Sequence, residues 1–206
     1  MKLEKIYCEV KDLFDGEEFN FIKYKDLLSS LEKAVREESA YKTTSKTRVN
    51  AIKRVASKYN DRPALTGYGI YGDYKVVTDS YHLIAIKQDV MPLKLVTTDS
   101  ELANKVGKEN CIFGDYPNME MILRYNTSNE LPMIDMDDLV SFIKMNKKEK
   151  RPLYQIGECK YNANYVKNVI DVLGKEVKIY YQGELKPLFF ENNDGEIGLV
   201  LPVRTY

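Results

Sequence analysis

Apolar positions along the chain keep two periods in turn, near four and near two, and the switches between them mark the elements. Ile6, Val10 and Phe14 are spaced by four and predict a short helix ended at Asp15-Gly16. Phe19, Phe21 and Ile22 read as a short strand. From Tyr24 a helix is predicted with Leu27, Leu28, Leu31 and Val35 on one face. The polar run 39–47 reads as a loop or frayed turn. A second helix is predicted over about 46–58, with Val49, Ile52, Val55 and Ala56 apolar. Asn60-Asp61 and Pro63 stop it.

Period two then takes over. Leu65–Tyr71 and Tyr74–Thr78 flank Gly72-Asp73, a hairpin signal. Tyr81–Lys87 and Leu93–Thr97 predict two more strands, and Ser100 is placed to cap a short helix over 101–106. Gly114–Leu131, with Gly, Pro, Asn and Ser spread through it, reads as a connector, and Met133–Met136 as a strand. Asp137 and Asp138 open a helix to about Asn146, with Leu139, Val140 and Ile143 inward. Pro152–Gly157 reads as a strand. Asn164 caps a helix over 165–173, with Gly174 at its C′ position. Strands at 176–182, 185–191 and 196–203 close the chain, with turns at Gly183-Glu184 and Asp194-Gly195. A faint repeat aligns the segment from Ile22 to Ser29 with Ile134 to Ser141, too short to establish duplication.

Composition narrows the class. The 206 residues, 44% hydrophobic and 30% charged, suit a soluble globular protein, long enough for one large core or two small ones. No apolar run reaches the roughly 18–20 residues of a membrane span, and the N-terminus has no signal-peptide pattern. Three scattered cysteines, Cys8, Cys111 and Cys159, exclude a disulfide framework and a CxxC zinc site, and suggest a reducing cytoplasm. The 31 basic and 31 acidic residues cancel. The cancellation is uneven, however: residues 42–62 carry net +6 and residues 144–151 net +4, with acidic stretches around them.

No catalytic constellation stands out. His82 is the only histidine, which disfavours a His-rich metal site, and its strand pattern suits a structural or contact role. Neither GxGxxG nor GxxxxGK[ST] is present. Asp137-Asp138 is explained by helix-start chemistry. No metal, cofactor or enzymatic activity is expected. The helix over 46–58 is more informative, because its polar faces hold Lys46, Arg48, Lys53, Arg54 and Lys58 and no acid. That pattern fits either a solvated face or a helix that meets backbone phosphates without reading sequence.

Two stretches carry a resemblance. Ala51–Ile86 contains Arg62-Pro63-Ala64-Leu65-Thr66-Gly67 and Thr78-Asp79-Ser80-Tyr81-His82-Leu83. It resembles the start of the middle domain of bacterial sliding clamps, the beta subunit of DNA polymerase III, where a helix is followed by "RPxLxG" and "TDxxRL" strands. Tyr161–Arg204 is similar to the last clamp domain: YNANYVKNVIDVL resembles its "FNxxYLxxxL" helix, and Leu201-Pro202-Val203-Arg204 its terminal "MPMR". Phe113–Pro117 with Met121-Ile122 resembles the "FPDY" link between those domains, in altered order. The resemblance covers about 48–206 with deletions. It departs from the family at His82, where an Arg is usual, and at Ser80-Tyr81, where Gly-His is frequent.

The resemblance implies an α+β, DNA-clamp-like fold with helices packed on antiparallel sheets. It implies two units, residues 1–115 (with an N-terminal extension, 1–20) and 116–206. It also implies a peptide-binding pocket with Thr78, Ser80, Tyr81, His82 and Leu83 on one wall and Leu199, Leu201, Pro202, Val203 and Arg204 on the other. Lys46, Arg48, Lys53, Arg54 and Lys58 would face DNA. The expected protein is a non-enzymatic clamp-like protein of DNA replication, phage- or mobile-element-borne, cytoplasmic, with no membrane contact and no cofactor. Its partner carries a clamp-binding peptide, with double-stranded DNA as a second ligand. The alternatives are a nonspecific DNA-binding module with a vestigial pocket, and an adaptor or decoy of a host replication complex. Six domains make a ring in that family, so two per chain would need a trimer; a monomer or open dimer fits equally well.

Overall fold

The computed structural model describes residues 46–56, 61–87 and 91–204. The elements expected before residue 46, the first copy of the faint repeat and Lys58 lie outside the described residues.

Helix α1 spans 46–55. Ile52 and Val55 on its inner face and Ala56 just past its end are buried, as the spacing predicts; Ala51 joins them, and Val49 is only half-buried. The expected strand over 65–71 is instead a 3-10 turn, Pro63–Thr66, followed by strand β1, Gly69–Tyr71. Pro63 sits in the first turn of that short helix, where its fixed φ is already helical. β1 pairs antiparallel with β2, Tyr74–Thr78, across Gly72, whose φ of 55° suits a tight hairpin. β3 is His82–Ile86.

β4, Leu95–Thr97, runs parallel to β5, Cys111–Phe113, a strand the pattern did not mark. Helix α2, Ser100–Val106, makes the crossover that a parallel pair requires. This two-stranded parallel pair lies beside the large antiparallel sheet that the fold class called for. Asp99, not Ser100, caps α2 and accepts from the Glu101 and Leu102 amides. β6 is only Glu130–Leu131, and the strand expected at 133–136 does not form. Asp135 caps helix α3, Met136–Met145, one turn-start earlier than the acidic pair suggested.

β7, Leu153–Ile156, turns at Gly157 (φ 59°) into β8, Cys159–Asn162, also unforeseen. Asn162 rather than Asn164 caps helix α4, Ala163–Leu173, and Gly174 ends it at φ 96°. β9, Val177–Tyr181, β10, Leu188–Asn192, and β11, Ile197–Val200, complete the chain.

One antiparallel sheet joins both halves in the order β1-β2-β3-β11-β10-β9-β6. The β3–β11 pairing, Leu199 opposite Leu83 and Val200 opposite His82, crosses the position where two units were expected to divide. The described residues from Thr47 onward cluster as one compact unit.

Both faces of the sheet are covered, which explains why all five residues of β3 are buried. Val77, Ile84, Ile86, Phe190 and Val200 face a core completed by α1, α3 and α4. Their alternates Val76, Leu83, Ala85, Phe189 and Leu199 face a second cluster, closed by Met119, Leu123, Tyr116 and Tyr125 of the connector. Each fully buried side chain of this size stabilises the fold by about 1.5–3 kcal/mol. Gly198 lets α4 lie close on β11, because a Cβ there would collide with Val169 Cγ1.

Candidate functional site

The site starts from the turn between β2 and β3. Thr78 Oγ1 donates to the His82 carbonyl (2.8 Å) and accepts from the Ser80 amide (3.0 Å). Asp79 Oδ1 accepts from the amides of Tyr81 (2.8 Å) and His82 (2.9 Å), and lies 2.8 Å from His82 Nδ1. Burial works to raise the Asp79 carboxyl, but these bonds and the His82 side chain outweigh it and hold it below the ordinary value. An ionised carboxylate only accepts, so His82 Nδ1 carries the proton of that bond. Ser80 is left at φ 78°, in the left-handed region.

This turn fixes two rings. His82 is 1% exposed and stacks on Tyr165 at 4.2 Å, 13° from parallel. Tyr81 is 51% exposed. Its ring lies 6.3 Å from that of Tyr165, and the Arg151 guanidinium lies 5.8 Å from its centroid. The Tyr81 carbonyl accepts from the Leu201 amide (2.9 Å), which ties the turn to the segment after β11.

A cavity of about 610 Å³ opens beside the turn, within the ordinary range for ligand sites. β3 and β11 supply Leu83 and Leu199, β10 supplies Phe189, and the connector supplies Pro117, Met119, Met121 and Ile122. Its cations, Arg124 and Lys186, line it without any carboxylate. Tyr81 also lines a second, polar groove of about 910 Å³ on its other side, together with Arg54, Arg62, Lys150, Arg151 and residues at the start of α4. Among the described residues no His, Cys, Asp and Glu cluster is arranged to hold a metal ion, and no helix is long and apolar enough to cross a membrane.

No protein-family model matches the chain, and no curated protein matches its sequence. Its fold does match solved structures. The C. crescentus beta sliding clamp with PEG bound superposes with a TM-score of 0.55 at 13% identity, over 78% of this chain and 63% of that one. DNA polymerase III subunit beta from Borrelia burgdorferi, in complex with a natural product, gives 0.55 at 14%, over 78% and 62%. The sliding clamp from Bartonella birtlesii, bound to griselimycin, gives 0.54 at 12%, over 79% and 64%. The fold is that of a bacterial sliding clamp. The chain spans less than two thirds of the length of these clamps.

On this clamp fold, Thr78, Ser80, Tyr81, His82 and Leu83 line the apolar cavity together with Leu199 and Leu201. Pro202, Val203 and Arg204, expected beside them, do not line it. After Leu201 the backbone swings to β8: Pro202 bridges to Tyr161, and the Val203 amide donates to the Lys160 carbonyl (2.8 Å). Arg204 is exposed. The connector wall was missed, although Met119, Met121, Ile122 and Leu123 form an apolar run inside a stretch read as linker.

On the helix expected to face DNA, two arginines are engaged by distant parts of the chain. Arg48 Nη2 donates to both carboxylate oxygens of Glu196 (2.7 and 2.9 Å), which is itself 4% exposed. Arg54 donates to Asn168 and Asp171, both at 2.8 Å. Both arginines therefore serve as clasps to the sheet turn and to α4. Lys46 and Lys53 remain exposed.

Proposed function

We propose that this chain is a non-enzymatic, sliding-clamp-like protein of DNA replication that holds extended peptide segments of replication or repair partners in the cavity beside Tyr81. The observation that carries this reading is the meeting of the β3 start with the β11 end around an apolar cavity. An extended segment with Leu or Phe anchors matches its apolar lining, and a strip of peptide leaving it passes Tyr81 into the polar groove. Exposed Lys46 and Lys53 support nonspecific contact with duplex DNA as a second, weaker function. The same reading keeps two clamp-like units, 1–115 and 116–206, sharing a sheet through β3–β11, and a cytoplasmic site of action.

Fluorescence anisotropy with a labelled peptide carrying adjacent Leu and Phe tests it. The expected result is saturable binding well below 1 mM peptide, weakened about tenfold by Leu201→Glu at the cavity mouth. No binding at about 1 mM, where affinity is near −4 kcal/mol, overturns the reading.

A further inference from the structure

The two basic segments of the sequence, one around α1 and one at 144–151, lie far apart along the chain. They meet in space at the groove beside Tyr81: Arg54 and Arg62 come from the first, Lys150 and Arg151 from the second. The charges there are not equivalent. Arg54 and Lys167 share Asp171 (2.8 and 2.6 Å), and Asp79 is taken up by His82. Among the described residues, Arg62 reaches only the Ser80 hydroxyl, at 3.3 Å, and Arg151 only the face of Tyr81. Among the described residues, Arg62, Lys150 and Arg151 pair with no carboxylate, and all three are exposed. Two carboxylates line the groove, Asp61 and the His82-bound Asp79, and of these Asp61 stands against the three cations.

From this charge pattern we infer that the partner segment is acidic: its apolar anchors enter the 610 Å³ cavity, and carboxylates flanking them lie along Arg62, Lys150 and Arg151. The inference rests on the peptide reading above and adds the chemistry of the partner. Arg124 and Lys186 extend the same sign to the cavity itself. Arg124 is held by Glu120 at 2.6 Å, an ion pair exposed enough for an incoming carboxylate to exchange with it. A nucleic acid strand would satisfy the same cations. Its flat bases lack the branched aliphatic groups that fill a cavity lined by Leu83, Met119, Phe189 and Leu199, which adjoins the groove past the shared Tyr81 wall. A peptide with mixed apolar and acidic residues fills both. Complementarity of this kind sets partner choice and encounter rate more than total affinity.

Three fluorescein-labelled peptides with the same Leu-Phe anchor test it, flanked on both sides by two Glu, two Gln or two Lys. The measurement is anisotropy on the full chain at low and high salt. The Glu peptide should bind about fivefold tighter than the Gln peptide at low salt, and the Lys peptide weaker than both, with the differences shrinking at high salt. In Lys150→Glu/Arg151→Glu the order of the Glu and Lys peptides should reverse, and an unchanged order overturns the acidic partner. Equal binding of the Glu and Gln peptides overturns the acidic partner and leaves the peptide site standing. Failure of all three to bind removes both. A single-stranded oligonucleotide that displaces the Gln peptide, and loses affinity in the double variant, overturns the inference in favour of nucleic acid.

Discussion

Asp79 does more than its neighbours in the 78–82 turn, because one oxygen holds two amides and the His82 ring. Those bonds keep Tyr81 outside and His82 inside, and so separate the apolar cavity from the basic groove. Asp79→Asn keeps an acceptor oxygen and loses the charge, so it should destabilise the fold by about 1 kcal/mol at pH 7. The sign of its pH dependence follows from the lowered carboxyl value. Its contribution is complete above the ordinary value of 3.8 and is lost as pH falls through the lower folded-state value. Urea unfolding of wild type and Asp79→Asn should therefore differ at neutral pH and converge below pH 3.8. A difference that persists at the acid end would mean that the side chain acts by shape and not by charge. The sequence ended one strand at Thr78 and began the next at Tyr81, which left room for this turn without showing its bonds. The left-handed Ser80 was not legible either, since nothing in the residue type asks for positive φ.

At the scale of elements, α1 shows how a basic helix divides its charges. Its apolar face was readable from spacing: Ile52, Val55 and Ala56 are buried, although Val49 is only half-buried. Which of its cations face solvent was not readable, because the partners lie far along the chain: Glu196 for Arg48, Asp171 for Arg54. Glu196 also accepts from the Lys87 amide and Asn192 Nδ2, so the Arg48 clasp closes a largely buried network at the β10–β11 turn. Arg48→Ala leaves that carboxylate without its cation and should cost about 3 kcal/mol. Lys53→Ala, on an exposed position, should cost less than about 0.5 kcal/mol. Thermal and urea unfolding of the two variants check the contrast. A duplex-binding assay adds the functional half: Lys46→Glu/Lys53→Glu should weaken salt-dependent binding without unfolding the protein. Equal stability of Arg48→Ala and Lys53→Ala would show that the clasp is solvated.

For the molecule as a whole, the sheet is the organising object, and the connector is its second cover. Residues read as a linker place Met119, Leu123, Tyr116 and Tyr125 on Leu83, Phe189 and Leu199, where Tyr125 stacks on Phe189 at 4.6 Å and donates to Glu191 (2.9 Å). The strap therefore belongs to both the core and the candidate site. Met119→Ala should cost about 2–5 kcal/mol, since the side chain is 3% exposed and its loss leaves a cavity. It should also weaken the Leu-Phe peptide, because Met119 lines the pocket. Stability and anisotropy together test this. A variant that loses stability but keeps its peptide affinity would confine Met119 to the core.

What the sequence determined by itself is what short-range physics controls. Apolar spacing placed α1 and α4. Glycines at turns placed the Gly72 and Asp194-Gly195 hairpins and the end of α4, and the TD and LPVR segments marked the clamp resemblance. Cap positions slipped at α2, α3 and α4 because neighbouring Asp, Ser and Asn side chains compete for the same amides, and only the backbone path selects among them. β5 and β8 escaped notice because three- and four-residue strands are recognised by their partners rather than their pattern. The tertiary structure alone decided the register in which β3 pairs with β11, and that the linker covers a sheet face. It also decided that two basic segments meet beside Tyr81. Those facts are sums of contacts between residues distant in sequence, for which composition and period hold no record.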